Sequence, residues 1–382
     1  MGTFLIEVCP HTMLLRSKGG IRLVDVVNKK DVLLETLKLI APGTALREGL
    51  DNILKARSGA LILIGDEEEV KTIVDGGFVI NEEYTPSKIY ELAKMDGAIV
   101  ITKDIKKIFL ANTQLIPDTS ISTKETGTRH KTAERVAKQT GNLVISISQR
   151  RNVITIFKSN LRYMIEETTE VLTKANQALN TVEKYKKVFD NKLSILNEYE
   201  FNDIVTLENV INAIQRAEMV MKIVEEVEKQ VCELGENGRL VEMQLTQLIG
   251  DMEQEEILII TDYCVNQKNR TPQTILKKIR NLPYEELMDS NVVAETLNFE
   301  NFDNYDEVGV YPRGYRILNK IPRMPANIVN NLVKSFKSFQ QILVADIEKL
   351  DEVDGIGEVR ARTIKQRLRR MQEQFVFDNY ID

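Results

Sequence analysis

Hydrophobic and polar positions follow two different rhythms along this chain. Up to about residue 158, short apolar runs alternate with amphipathic stretches. Ala60-Leu61-Ile62-Leu63-Ile64 and Ala98-Ile99-Val100-Ile101-Thr102 read as short buried strands, and residues 108–111 as another. Residues 143–148 and 153–157 flank Gln149-Arg150-Arg151-Asn152, which predicts a hairpin. Residues 31–40 read as a helix closed by Ala41-Pro42-Gly43, and Thr44 is placed to cap a second helix ending near Arg57. Residues 86–95 are helical in pattern and meet the next strand through the Asp96-Gly97 turn.

After residue 158 the rhythm changes. No glycine falls between Gly141 and Gly235, and no proline between Pro117 and Pro272. Leu172, Ala175, Leu179, Val182 and Tyr185 keep helical spacing, so long helices packed as a bundle or stalk are expected. A third pattern begins at Tyr311-Pro312-Arg313-Gly314-Tyr315. Short helices are predicted at residues 325–335, 338–344 and 346–350, then a basic helix at 359–371. The fold class expected is an α/β N-terminal domain with a central mixed sheet flanked by helices, then an all-α spine and an all-α C-terminal module. The boundaries fall at 31–158, 159–310 and 311–382, with residues 1–30 an unassigned extension. No sequence repeat stands out.

Composition sharpens this picture. At 382 residues the chain exceeds one ordinary core. Its 43% apolar and 28% charged content fits a water-soluble protein, and no apolar run reaches the roughly 20 residues needed to span a bilayer. Residues 1–22 lack the pattern of a secretory signal. Cys9, Cys232 and Cys264 are odd in number and far apart, which points to a reducing cytoplasm. The net charge is −6, yet residues 312–370 carry 13 Lys/Arg against 6 Asp/Glu, so a basic terminal module sits on an acidic body.

The chemistry concentrates in Gly127-Thr128-Arg129-His130-Lys131-Thr132, a loop expected to open onto a helix from Ala133. Free amides at a helix start attract anions, and three potentially cationic side chains there make a triphosphate cradle. The bland alternative is a helix start with solvated charges. His130 is placed as a phosphate or ribose contact; a general base is possible there but not demanded. Asp96 is the candidate carboxylate for the magnesium that accompanies a triphosphate, and Gly97 lets the backbone approach a base or sugar. Arg151 at the hairpin tip could hold a pyrophosphate leaving group. In the C-terminal module, Gly355 and Gly357 between short helices offer amides to a DNA phosphate, followed by Arg360, Arg362 and Lys365 as sequence-independent cations. No base-reading element is visible.

These residues resemble the DNA integrity scanning proteins, a family of bacterial diadenylate cyclases. The likeness runs from about residue 31 to 371 through Ala41-Pro42-Gly43-Thr44, Asp75-Gly76-Gly77-Phe78, residues 90–98, Ala111-Asn112-Thr113-Gln114-Leu115, residues 125–130 and Pro312-Arg313-Gly314-Tyr315. It implies that two ATP molecules condense to cyclic di-AMP with release of two pyrophosphates, using Mg2+ or Mn2+. It implies Asp96 as the catalytic, metal-associated carboxylate, with Gly97 and Leu115 lining the nucleotide pocket. Thr128, Arg129, His130, Lys131 and Thr132 correspond to the ATP-binding loop, and Ser148 and Arg151 to the segment that reaches the phosphates. Lys131 stands where the family carries arginine, keeping the charge without the bidentate fork. The resemblance also implies a helix-hairpin-helix module, branched DNA bound without sequence specificity, and a homo-octamer in which cyclase domains face one another. The alternatives are a non-catalytic ATP-sensing DNA-binding scaffold and a nucleotidyl transferase with another acceptor.

Overall fold

The computed structural model describes residues 31–264, 271–299 and 302–374 in full, and the backbone alone of 5–9, 12–17, 20–25, 29–30 and 375–378. Strands β1 (Leu5–Cys9), β2 (Thr12–Ser17) and β3 (Gly20–Asp25) form an antiparallel sheet. The principal sheet follows. Its strands are β4 (Ala60–Ile64), β5 (Val74–Asp75), β6 (Phe78–Glu83), β7 (Ala98–Ile101), β8 (Lys107–Leu115), β9 (Leu143–Ser148), β10 (Val153–Lys158) and β11 (Leu161–Met164). Their order is β11-β10-β9-β4-β7-β8-β5, with β6 also paired to β8. Only β4 and β7 run parallel, so the sheet is mixed.

Both faces of this sheet are covered, which explains why its central strands are apolar throughout. Ile62 and Ile64 of β4 face a core with Leu46, Leu50 and Ile53 from helix α2 (Ala45–Lys55), Leu37 from α1 (Lys29–Leu39) and, beyond the short α3 (Glu67–Val70), Ile89 from α4 (Pro86–Leu92). Leu61 and Leu63 point the other way, toward Ala133, Val136 and Ala137 of α5 (Thr128–Thr140). Thr44 caps α2, its hydroxyl accepting from the Arg47 amide at 3.2 Å.

Two elements depart from the expected bounds. Helix α5 starts at Thr128, so the presumed loop is the helix's own first turn. Gly127 takes an extended conformation as N-cap, and the Lys131 amide donates to its carbonyl. Strand β8 runs to Leu115, beyond the apolar segment 108–111, because β5, β6 and β7 all bond to it; Asn112 takes φ 53° where the register shifts.

The helical remainder comprises α6 (Thr168–Asn202), α7 (Leu207–Leu234), α8 (Arg239–Ile249), α9 (Met252–Tyr263), α10 (Pro272–Arg280), α11 (Tyr284–Leu287) and α12 (Ser290–Thr296), then α13 (Tyr315–Asn319), α14 (Ala326–Ser335), α15 (Phe339–Val344), α16 (Ile347–Asp351) and α17 (Glu358–Asp378). The chain forms two compact units, residues 1–176 with 228–242, and residues 177–227 with 243–382. In the second, the start of α13 is fixed by Asp262, whose carboxylate accepts from the amides of Gly314, Tyr315 and Arg316. The fully buried Arg316 guanidinium pairs with Glu200 and Asn197, so residue 316 shares a charged core with α6.

A structural repeat emerges where the sequence showed none. Between α13 and α14, the Ile321 amide donates to Leu318, Met324 to Ile321 and Val329 to Pro325. Between α16 and α17 the same ladder recurs as Val353 to Leu350, Ile356 to Val353 and Ala361 to Gly357. Arg323 (φ 60°) occupies the left-handed position that Gly355 (φ 79°) fills in the second hairpin. Among the described residues, no helix is long and apolar enough to cross a membrane.

Candidate functional site

The turn between α4 and β7 presses against β8. Gly97 has φ 90°, and a Cβ there would lie 2.9 Å from the Asn112 carbonyl carbon and the Thr113 oxygen. Both are backbone atoms that cannot swing aside, so only glycine fits. Beyond it opens a cleft of about 230 Å3. Gly97 and Ala98 form one wall, Thr113, Gln114 and Leu115 of β8 a second, and Thr128, Arg129 and Thr132 of α5 a third, together with Leu61. Asp96 is exposed immediately before Gly97, and its carboxylate has no protein partner among the described residues.

The start of α5 supplies the anion-seeking side of this cleft. Gly127 has no side chain to cap the helix, and the first intrahelical bond comes from the Lys131 amide. The amides of Thr128, Arg129 and His130 are therefore left without intrahelical acceptors. A Cβ at Gly59 would lie 2.2 Å from Arg129 Nη1, so that glycine makes room for the guanidinium. Nothing in the sequence pattern marked Gly59 for this role.

Other predicted site residues lie elsewhere. His130 turns toward the sheet, with Nδ1 3.3 Å from Ser146 Oγ and its ring edge-on to Phe157 at 6.2 Å. Burial first, and then the positive charges of Arg151, Arg162 and Arg129, hold its pKa below the ordinary histidine value against an opposing effect of Glu125. His130 is not among the residues that line the cleft. Lys131 is exposed and also absent from the lining. Ser148 closes the β9–β10 turn by accepting from the Arg151 amide at 3.2 Å. Arg151 itself lines a separate cleft with Lys124, Glu125, Thr126 and Arg162. Thr113 and Gln114 were missed as site residues, although the alternation along β8 that exposes Gln114 is visible in the sequence.

For a metal, the described residues offer no cluster of three or more His, Cys, Asp or Glu side chains. A single free carboxylate fits magnesium or manganese, hard cations that take one or two carboxylates and complete their shells with phosphate oxygens and water.

In the C-terminal region, Gly355 takes a positive φ and Ile328 Cδ1 lies 2.7 Å from where a Cβ would stand, whereas Gly357 has open space. Ile356 is buried in the module's core. Arg360 donates to the Gly355 carbonyl and Arg362 pairs with Glu358. Lys365 turns inward and donates to the carbonyls of Leu343 and Ala345, each at 2.7 Å, which ties down the end of α15.

Two family models match the chain. One, described as DisA bacterial checkpoint controller nucleotide-binding, covers residues 47–161; the other, described as its linker region, covers 165–305. Curated relatives named DNA integrity scanning protein DisA include one from Acetivibrio thermocellus, 54% identical over 92% of this chain and 97% of that protein. Another, from Clostridium kluyveri, is 52% identical over 92% of this chain and 99% of its own length.

Proposed function

The chain belongs to the DNA integrity scanning protein DisA family and is a diadenylate cyclase, and we propose that each Gly97–Arg129 cleft holds one ATP while two chains meeting face to face join the pair into cyclic di-AMP. One observation carries this reading. Each cleft has one anion-seeking helix start and, beside Gly97, one carboxylate, Asp96, without a protein partner among the described residues. The product has two identical phosphodiester links, so a twofold axis between paired clefts gives each link one cradle and one carboxylate. Met95 in the turn that carries Gly97, Phe78 and Val79 on β6, which pairs with β8, and Ile116 just after Leu115 are exposed apolar residues, a surface suited to a second copy.

Within each cleft, Gly97 and Leu115 bound the space for the nucleoside, and Thr128, Arg129 and Thr132 meet the phosphates. The free amides of the first turn hold the negative charge that grows as one ATP's 3′-hydroxyl attacks the other's α-phosphate and pyrophosphate departs. A magnesium or manganese ion, held by Asp96 and by phosphate oxygens, would supply further charge neutralisation. Neutral His130 anchors the turn from behind through Ser146. Lys131 is exposed and does not line the cleft, so its replacement of the family arginine costs little. In the C-terminal module, the two hairpins at 321–325 and 353–357 bind DNA phosphates without reading bases, and the chain assembles as an octamer.

Incubating the full chain with ATP and magnesium or manganese, then weighing the products, tests this. Cyclic di-AMP is expected from the parent, and none from Asp96→Asn, which should keep its fold and DNA retention. ATP binding without pyrophosphate release would support a sensing scaffold instead, and a labelled macromolecule would support another acceptor.

A further inference from the structure

The cleft beside Gly97 has two chemically different walls. The α5 wall supplies Thr128, Arg129 and Thr132 together with the free first-turn amides, a set suited to phosphates. The β8 wall supplies Thr113, Gln114 and Leu115. Burial alternates along this strand, with Ala111 and Thr113 turned inward and Asn112 and Gln114 exposed. The Thr113 hydroxyl is already engaged, donating to the Asp75 carbonyl at 3.1 Å. The Gln114 carboxamide makes no hydrogen bond among the described residues, although its backbone is held in register against Asp75 of β5. Ala98 pairs with Thr113 in the antiparallel β7–β8 ladder, so Gln114, the next residue along β8, runs out toward Gly97, where no side chain competes for the space.

Leu61, Ala98 and Leu115 are the apolar side chains of the lining. They can hold the faces of a base but cannot tell one purine from another. Gln114 can, because its carboxamide sets an acceptor, Oε1, beside a donor, Nε2. Adenine carries the complementary pair: its N6 amino group donates and its N7 accepts. Guanine carries O6 and N7, two acceptors, which leaves Oε1 facing a group that cannot donate to it. An amide left unpaired against a bound base costs more than the matched bonds gain, so such a group discriminates by rejection.

We propose that Gln114 selects adenine over guanine in this cleft, accepting from N6 through Oε1 and donating to N7 through Nε2. The inference rests on the reading of the cleft as an ATP site and adds the group that reads the base.

Calorimetric titration of the full chain with 3′-deoxy-ATP and 3′-deoxy-GTP in magnesium buffer tests this, since neither carries the attacking 3′-hydroxyl. The parent chain should bind the adenine nucleotide more tightly by about tenfold or more. Gln114→Ala should erase that preference by weakening the adenine nucleotide while leaving the guanine nucleotide unchanged. Gln114→Met keeps the length of the side chain and removes both hydrogen-bonding groups, so it should do the same without opening the wall. Damage to the cleft itself would instead weaken both nucleotides together. Formation of cyclic di-AMP from ATP by the parent chain is scored separately. Its absence sinks the cyclase reading, while the two affinities still decide the role of Gln114. Equal binding of both nucleotides by the parent chain overturns the proposal. So does a preference that survives in Gln114→Met, or an equal loss of both nucleotides in that variant.

Discussion

Helices α5 and α17 both follow a glycine and both are rich in cations, yet they deploy those charges in opposite ways. At α5, Gly127 leaves the helix uncapped and Arg129 extends past Gly59 into a cleft walled by β7 and β8. At α17, Arg360 bonds to Gly355, Arg362 to Glu358 and Lys365 to the end of α15. The first arrangement leaves the first-turn amides without intrahelical acceptors, as the proposed ATP site needs. The second uses much of its charge to hold its own hairpin and offers the remainder diffusely, as suits a partner contacted over many phosphates. A count of basic residues would have rated the two alike.

Substitutions can break or sharpen this contrast. The largest effect is expected at Gly97→Ala, where a methyl meets backbone on β8. Cyclic di-AMP synthesis should fall about 100-fold or more, measured by product chromatography. Gly357→Ala faces open space and should change unfolding free energy by under about 0.5 kcal/mol. Next, Lys365→Ala should destabilise the C-terminal module by about 1–2 kcal/mol in urea unfolding, because two carbonyls lose a charged donor. The solvated Arg362 should behave differently. Arg362→Ala should barely alter stability, yet should reduce the slope of log DNA affinity against log salt by about 1.

The smallest effect concerns protonation at the α5 turn. His130 has its pKa lowered by burial and by its arginine neighbours, so below the ordinary histidine pKa the unfolded chain binds the proton more readily than the folded one. Its contribution to stability is therefore complete above about pH 6.5 and is lost as pH falls through the folded pKa. With only two histidines in the chain, NMR titration can follow His130 directly. A midpoint at or above the ordinary value would remove the neutral assignment.

Much of this architecture was legible in the order of residues. The central strands show themselves because both their faces are covered, and the long helices because glycine and proline are missing over nearly a hundred positions. Thr44 identified a cap correctly. What stayed hidden depended on partners far away in sequence. The start of α5 turned on Gly127 adopting an extended backbone. Lys365 reads as a free cation until α15 is placed beside it. The contacts of His130 with Ser146 and Phe157 were likewise not legible. The first hairpin escaped notice because Arg323 and Pro325 occupy the positions where its twin has Gly355 and Gly357, and only the backbone hydrogen bonds reveal the repetition.

The most direct test of paired clefts mixes active chains with Asp96→Asn chains under conditions that allow subunits to exchange. Each cyclic product needs a working carboxylate from both partners, so synthesis should fall with the square of the active fraction, to about a quarter at equal mixing. A fall in simple proportion, to about half, would mean that one chain completes the reaction alone and would contradict the account.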